Sequence, residues 1–414
     1  MIFEERESQV RSYCRSFPTV FSKAKMDKLW SEDGTEYIDF FAGAGVMNYG
    51  HNNDYIKDKI VEYLQGDNLI HGLDMFSVAK KEFLETFTKE ILEPRGYDYK
   101  VAFTGPTGTN SVEAALKLAR KVTGRSNVIA FSGSFHGMTM GSASLSSGAD
   151  FRKSLGTQTT GTTFMPFPTG FFATFDTIRY IDEMLKDDHS GLDMPAAIIV
   201  ETLQCEGGIN IAPNEWLVAL RELCDKYGII LIIDDIQAGN GRCGTFFSFE
   251  RAGIVPDMVT VSKSIGGSGM PMALVLIRPG YDKFNPGEHN GTFRGFQLAF
   301  VSGKAALEYR ASYDFDAETV RKGEIARNYI EKEILPLDPT FEMRGMGLLW
   351  GIDTHDGAKA KAVAKVAFEN GVIMERSGRN DEVLKVMPPL VITDENLLKG
   401  LEIVKNAIKE VYGL

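Results

Sequence analysis

The chain has 414 residues, 43% hydrophobic and 24% charged, which is enough for two or three domains with a full core. Its 45 basic and 56 acidic residues leave a formal charge of −11, the wrong sign for binding nucleic acid or an anionic membrane. Cys14, Cys205, Cys224 and Cys243 are scattered and form no C-x-x-C pair, which excludes a disulfide framework and a cysteine zinc site. The first residues are charged and lack an apolar stretch, and no apolar run approaches the roughly 20 residues of a bilayer span. A cytoplasmic protein is expected.

In chain order, residues 1–55 read as irregular and short-strand structure, with two strands meeting at the turn signal Asp33-Gly34. From about 100 to 280, β-branched apolar runs at 101–104, 127–132, 196–201, 229–235, 258–263 and 273–277 alternate with helical segments. One helix is predicted from Thr109 to Thr123, and another from Asn214 to Tyr227 with Asn214 as N-cap and Gly228 closing it. Strands without alternation are covered on both faces, so the fold predicted is α/β around a mostly parallel sheet. Beyond it the pattern predicts a helix at 316–333 capped by Asp316, a strand at 346–352 and a helix at 358–370. A strand at 384–387 and a closing helix from Asp394 follow. The expected division is a large domain over 56–320 and a smaller α+β domain built from 1–55 and 321–414.

In an open parallel sheet ligands bind beyond the carboxyl ends of the strands. Three strands exit at Glu201, at Asp234-Asp235 and at Lys263, while strand 101–104 runs into Gly105-Pro-Thr107-Gly108-Thr109-Asn110 and a helix. Such a turn offers N–H groups and hydroxyls to a phosphate, although it is neither a P-loop nor a G-x-G-x-x-G fingerprint. Asp234 follows five apolar residues, so its carboxylate calls for a cationic partner such as a protonated pyridine nitrogen. A desolvated Lys263 is a candidate Schiff-base former. Phe135-His136-Gly137 follows strand 127–132 and offers an aromatic face to a planar group. The six histidines show no metal-ligand spacing, so no metal site is expected.

Together these residues resemble the class III (ω-amino acid) aminotransferases of fold type I, which use pyridoxal 5′-phosphate. The resemblance runs from Phe17-Pro18 through Asn48-Tyr-Gly-His51 to Pro388-Pro389-Leu390, and is densest over 233–242 and 256–263. It implies that Lys263 holds the cofactor and moves the 1,3-proton, and that Asp234 pairs with the ring nitrogen. Gln237 would bond the phenolic oxygen, and Phe135 would stack on the ring beside His136 and Glu201. Thr107, Gly108 and Thr109 would hold the phosphate, and Thr292 would reach the cofactor of a neighbouring subunit, which requires a homodimer or higher oligomer with shared active sites.

Within the class, segments 40–45, 71–75, 200–210 and 287–295 are similar to the branch that serves ectoine biosynthesis. That branch moves the amino group of L-glutamate to L-aspartate 4-semialdehyde, giving L-2,4-diaminobutyrate and 2-oxoglutarate. A 4-aminobutyrate or ornithine transaminase is the alternative. Two departures from the wider class stand out. Asp235 replaces a usual glutamate, with little consequence expected. Lys385 stands where an arginine usually grips the substrate α-carboxylate, and a lysine lacks the bidentate fork. Glu206 would pair with Lys385 and swing away when glutamate enters, while Arg294 is a second candidate for the carboxylate.

Overall fold

The computed structural model describes residues 1–157 and 161–414. A seven-stranded sheet organises the larger part, from strands Lys100–Gly105 (β1), Val128–Phe131 (β2), Thr162–Met165 (β3), Ala197–Val200 (β4), Ile230–Asp234 (β5), Met258–Val261 (β6) and Ala273–Ile277 (β7). Their order is β1-β7-β6-β5-β4-β2-β3, with only β7 antiparallel to its neighbours. The predicted runs become these strands, and β3, which the sequence pattern did not flag, is an addition at the edge.

Both faces of the sheet are covered, which explains the unbroken apolar runs. Leu231 and Ile233 of β5 pack into one core with Phe131, Val200 and Val259, while Ile230 and Ile232 face a second core with Val128, Ile199 and Met258. Helix Gly108–Thr123 lays Val112, Ala115, Leu116 and Ala119 into the second core.

The N- and C-terminal segments meet in a separate core, where Ile38 and Phe40 pack with Trp350, Leu384, Leu397 and Leu401. Strand Glu36–Asp39 also pairs in parallel with Val372–Ile373. The segment predicted as one strand over 346–352 is instead a hairpin, Glu342–Met346 against Leu349–Asp353, because Gly347 takes a φ of +55° and turns the chain. Strand Val383–Val386 pairs with this hairpin on one side and with Glu375–Ser377 on the other.

Two predicted caps move. Pro213, not Asn214, precedes helix Asn214–Tyr227, although Gly228 closes it at a φ of +58° as expected. The later helix spans Phe315–Tyr329 and is capped by Asp314, whose carboxylate accepts the Ala317 N–H at 3.0 Å. Asp316 is instead ion-paired with Arg310. Among the described residues no helix is long and apolar enough to cross a membrane.

Candidate active site

Parallel neighbours β4, β5 and β6 end side by side, and the register sets Ile233 beside Val200 and Asp234 beside Thr260. Glu201, Asp234 and Lys263 therefore converge by topology. They line a cavity of about 160 Å³ together with Gly108, Thr109, Phe135, His136 and Gln237.

Asp234 is buried, and three groups satisfy its carboxylate. His136 Nδ1 lies 2.7 Å from Oδ2, while Oδ1 accepts the Thr260 hydroxyl at 2.9 Å and the Ile236 N–H at 3.3 Å. His136 is equally buried, and its Nε2 has no partner among the described residues. Glu201 accepts the Phe135 N–H at 3.0 Å, and its carboxyl pKa is pushed well up by burial and by the neighbouring Asp234. Two carboxylates, Glu201 and Asp234, thus share one cavity.

Lys263 leaves β6 with a φ of +56° and directs Nζ to the Ala44 carbonyl at 2.8 Å. Desolvation lowers its pKa, against the opposing pull of Glu206. Gln237 Nε2 donates to the same carbonyl at 3.1 Å and to Glu206 Oε1 at 3.0 Å.

At the phosphate-type end two glycines are closely packed by side chains: a Cβ on Gly137, whose φ is +120°, would stand 2.6 Å from Thr109 Oγ1, and a Cβ on Gly108 would stand 2.9 Å from Ile236 Cδ1. The Thr109 hydroxyl, in the first turn of helix Gly108–Thr123, lies 2.7 Å from Thr139 Oγ1. Thr107 stands outside the cavity as the helix N-cap, with its hydroxyl donated to Asn110 Oδ1 at 2.9 Å.

The aminotransferase class-III family model matches residues 11–408, nearly the whole chain. The chain is a class-III aminotransferase. A diaminobutyrate–2-oxoglutarate transaminase of Sporosarcina pasteurii is 53% identical over 99% of this chain and 97% of its own. Among solved structures, the ornithine aminotransferase of Toxoplasma gondii superposes with a TM-score of 0.86 at 26% identity, covering 100% of this chain and 93% of that one. A taurine:2-oxoglutarate aminotransferase of Bifidobacterium kashiwanohense, solved with PLP and glutamate, gives 0.85 at 25% identity over 95% and 93%. The architecture is accordingly the fold type I of pyridoxal phosphate enzymes, and the cofactor of this class-III aminotransferase is pyridoxal 5′-phosphate.

The residues present fit that group. The start of helix Gly108–Thr123, with Gly108 and Thr109 on the cavity wall, suits a phosphate dianion, the buried Asp234 carboxylate on the same wall suits a cationic ring nitrogen, and the amine of Lys263 opens on the same cavity. Phe135 borders the cavity and packs edge-on against Phe151 at 4.9 Å.

At the substrate end of the aminotransferase, Lys385 is fully buried and touches two carboxylates: Glu206, the partner the sequence suggests, with Oε1 at 2.8 Å, and Glu375 with Oε2 at 2.7 Å. Burial alone would lower its pKa, but the two carboxylates outweigh it and the pKa is raised. Glu206 is held low in turn, because the Lys385 and Lys263 charges exceed the cost of its burial. Glu375 went unnoticed in the sequence. It sits directly opposite Lys385 in the antiparallel register and accepts the Tyr13 hydroxyl at 3.2 Å. A lone Glu after Val372-Ile373-Met374 was the only signal, and without the register it had no partner to name.

Arg294 and Thr292 lie apart from this cavity within the chain. The Arg294 guanidinium donates to the His289 carbonyl at 2.7 Å, and the Thr292 carbonyl lies 2.7 Å from His71 Nε2. The turn Thr292–Gly295 thus holds Arg294 against His289.

Proposed function

We propose that this aminotransferase transfers the amino group of L-glutamate to L-aspartate 4-semialdehyde, giving L-2,4-diaminobutyrate and 2-oxoglutarate, as expected for the first step of ectoine biosynthesis in the cytoplasm. The observation that carries the reading is 53% identity across 99% of the chain to an enzyme of that name. The pocket supports it chemically.

When bound, pyridoxal 5′-phosphate supplies an electron sink for the carbanion that transamination requires. The chain's residues do the rest. Lys263, with its pKa lowered by burial, takes and returns the proton between the two carbons that exchange oxidation state. Asp234, fixed by His136 and Thr260, supplies the negative charge opposite the ring nitrogen. Thr109, Gly108 and the helix start would hold the phosphate, Gln237 would hold the phenolic oxygen, and Phe135 would pack on the ring.

Glutamate brings a carboxylate next to its reacting carbon, whereas the aldehyde carbon of the semialdehyde has none beside it. A site serving both must offer and withdraw a cation. Glu206 is the exchangeable partner: displaced from Lys385, it gives the lysine to the glutamate carboxylate, and returned, it closes the pair for the semialdehyde. Glu375 stays on Lys385 in both states.

The proposal includes a homodimer or larger homo-oligomer in which Thr292 reaches the neighbouring active site. Near Thr292 the chain leaves Met75, Phe76, Val78 and Phe293 at 54%, 100%, 71% and 61% exposure, an apolar surface that a second copy would cover. A monomer in analytical ultracentrifugation would contradict it. The division into a large domain over 56–320 and a small one from 1–55 and 321–414 is part of the same reading, supported by the shared core of the two ends.

The test is a panel of aldehydes. Purified protein supplied with L-glutamate should release 2-oxoglutarate fastest with aspartate semialdehyde, ahead of succinate semialdehyde and glutamate semialdehyde. The 4-aminobutyrate or ornithine alternative predicts the reverse order.

A further inference from the structure

Four consecutive residues, Ala42, Gly43, Ala44 and Gly45, carry φ values of +49°, +57°, +57° and +88°. Left-handed backbone is cheap for the two glycines and strained for the two alanines, and such strain persists only where the surroundings impose it. Here the surroundings are specific. Asp39 is buried, and its Oδ1 accepts the N–H groups of Phe41 at 2.8 Å and Ala42 at 2.7 Å, while its Oδ2 lies 2.8 Å from His51 Nε2. At the far end, the Ser264 hydroxyl donates to the Gly45 carbonyl at 2.6 Å. Between these anchors the Ala44 carbonyl points at Lys263 Nζ and Gln237 Nε2.

We infer that Asp39 is a positioning residue for the reaction: it locks the left-handed turn that aims the Ala44 carbonyl at Lys263 and so holds the lysine ammonium whenever the lysine is free of the cofactor. The inference rests on Lys263 being the cofactor's lysine. Over a complete transamination cycle this lysine is released once and recaptured once, and a buried ammonium without an acceptor is expensive. The other titratable groups facing Lys263 are Glu206, Glu201, Lys385, Glu375 and the Cys205 thiol, all on elements outside the turn, so substitutions at Asp39 leave them in place.

The experiment uses the full chain, stripped of pyridoxal 5′-phosphate and reloaded across a pH series. The rate of covalent attachment, read by absorbance, reports the fraction of Lys263 that is unprotonated. Asp39→Ala removes the acceptor for both N–H groups, and the midpoint should fall by about one pH unit, a tenfold change in the proton equilibrium. Asp39→Asn keeps an oxygen for those N–H groups, loses the charge and turns an amide NH2 toward His51 Nε2, and its midpoint should stay at the wild-type value. Equal shifts in both variants would reduce Asp39 to a distant charge and overturn the inference, as would no shift in either. Should Asp39→Ala not fold, the double variant Ala42→Gly/Ala44→Gly decides. Glycine suits left-handed backbone, so its Tm should equal or exceed that of the wild type, and a Tm lower by several degrees would overturn the turn itself. Borohydride reduction and peptide mapping separate the two readings: a label on another lysine removes the Lys263 assignment, whereas a label on Lys263 leaves the Asp39 result to stand alone.

Discussion

The two ends of the pocket solve the burial of charge in different ways. At the cofactor end, one carboxylate, Asp234, is met by an imidazole, a hydroxyl and an amide from three separate segments, and nothing about it needs to move. At the substrate end, one lysine is shared by two carboxylates, and Lys385, Glu206 and Glu375 together carry a net charge of −1 (one lysine against two glutamates) inside the protein. Over-partnering of that kind makes one carboxylate exchangeable. The first end suits a group that stays through every turnover, and the second suits two substrates that differ in where they carry a carboxylate.

The largest effect should come from the fixed end. Lys263→Ala removes the amine that both holds the cofactor and moves the proton, and turnover should fall to near background in a steady-state assay while cofactor still binds non-covalently. Retained activity, or borohydride labelling of another lysine, would break the assignment. Asp234→Asn should keep the fold and lower kcat by about 10²–10³-fold, because a neutral amide offers the ring nitrogen no compensating charge. Near-normal kcat would show that the fixed end is not electrostatic in function.

The exchangeable end predicts selectivity rather than collapse. Lys385→Ala should lower kcat/KM for glutamate by about 10- to 150-fold, the loss of one charge-assisted contact worth about 1.5–3 kcal/mol. The diaminobutyrate half-reaction should suffer less. Because the substitution also strands two buried carboxylates, its Tm must be measured alongside. Arg294→Ala is the control, and a glutamate-selective loss there with equal losses in Lys385→Ala would move the clamp to Arg294, contributed by another subunit.

The smallest effect on turnover concerns Asp235, which sits beside the fixed end without lining the cavity and acts on stability. Burial raises its pKa to about 7, despite the Ser248 N–H and hydroxyl that it accepts. The folded protein therefore binds this proton more tightly than the unfolded chain. The stabilisation is complete below the ordinary carboxyl range near 3.8 and is lost as pH rises toward 7, with a slope of at most about 1.4 kcal/mol per pH unit. Thermal melts between pH 4 and 8 should show this decline in the wild type and a flatter profile in Asp235→Asn. Parallel profiles would place the ionised form in the folded protein.

The same contrast explains what could be seen in the sequence. Residues of the fixed end follow apolar runs directly, so the strand that buries Ile233 also delivers Asp234, and the topology of parallel neighbours brings Glu201 and Lys263 alongside. His136 was legible only as part of a loop after a strand, because its bond to Asp234 depends on how that loop folds back over 98 residues of sequence. Glu375 and Tyr13 were not legible: one depends on a strand register and the other on a contact spanning 362 residues. The left-handed turn was hidden because two of its four residues are alanines, which carry no sequence signal for positive φ. The caps at Asn214 and Asp316 went astray for a simpler reason, that Pro213 and Asp314 lie one and two residues upstream and fix the start of each helix first.

The most direct test of the whole account is to follow each half-reaction separately by cofactor absorbance under single-turnover conditions. L-Glutamate and L-2,4-diaminobutyrate should each convert the enzyme completely, and faster than ornithine or 4-aminobutyrate at equal concentration. If ornithine or 4-aminobutyrate converts it faster than diaminobutyrate, the proposed substrate and the assigned role of the exchangeable Glu206–Lys385 pair are both wrong.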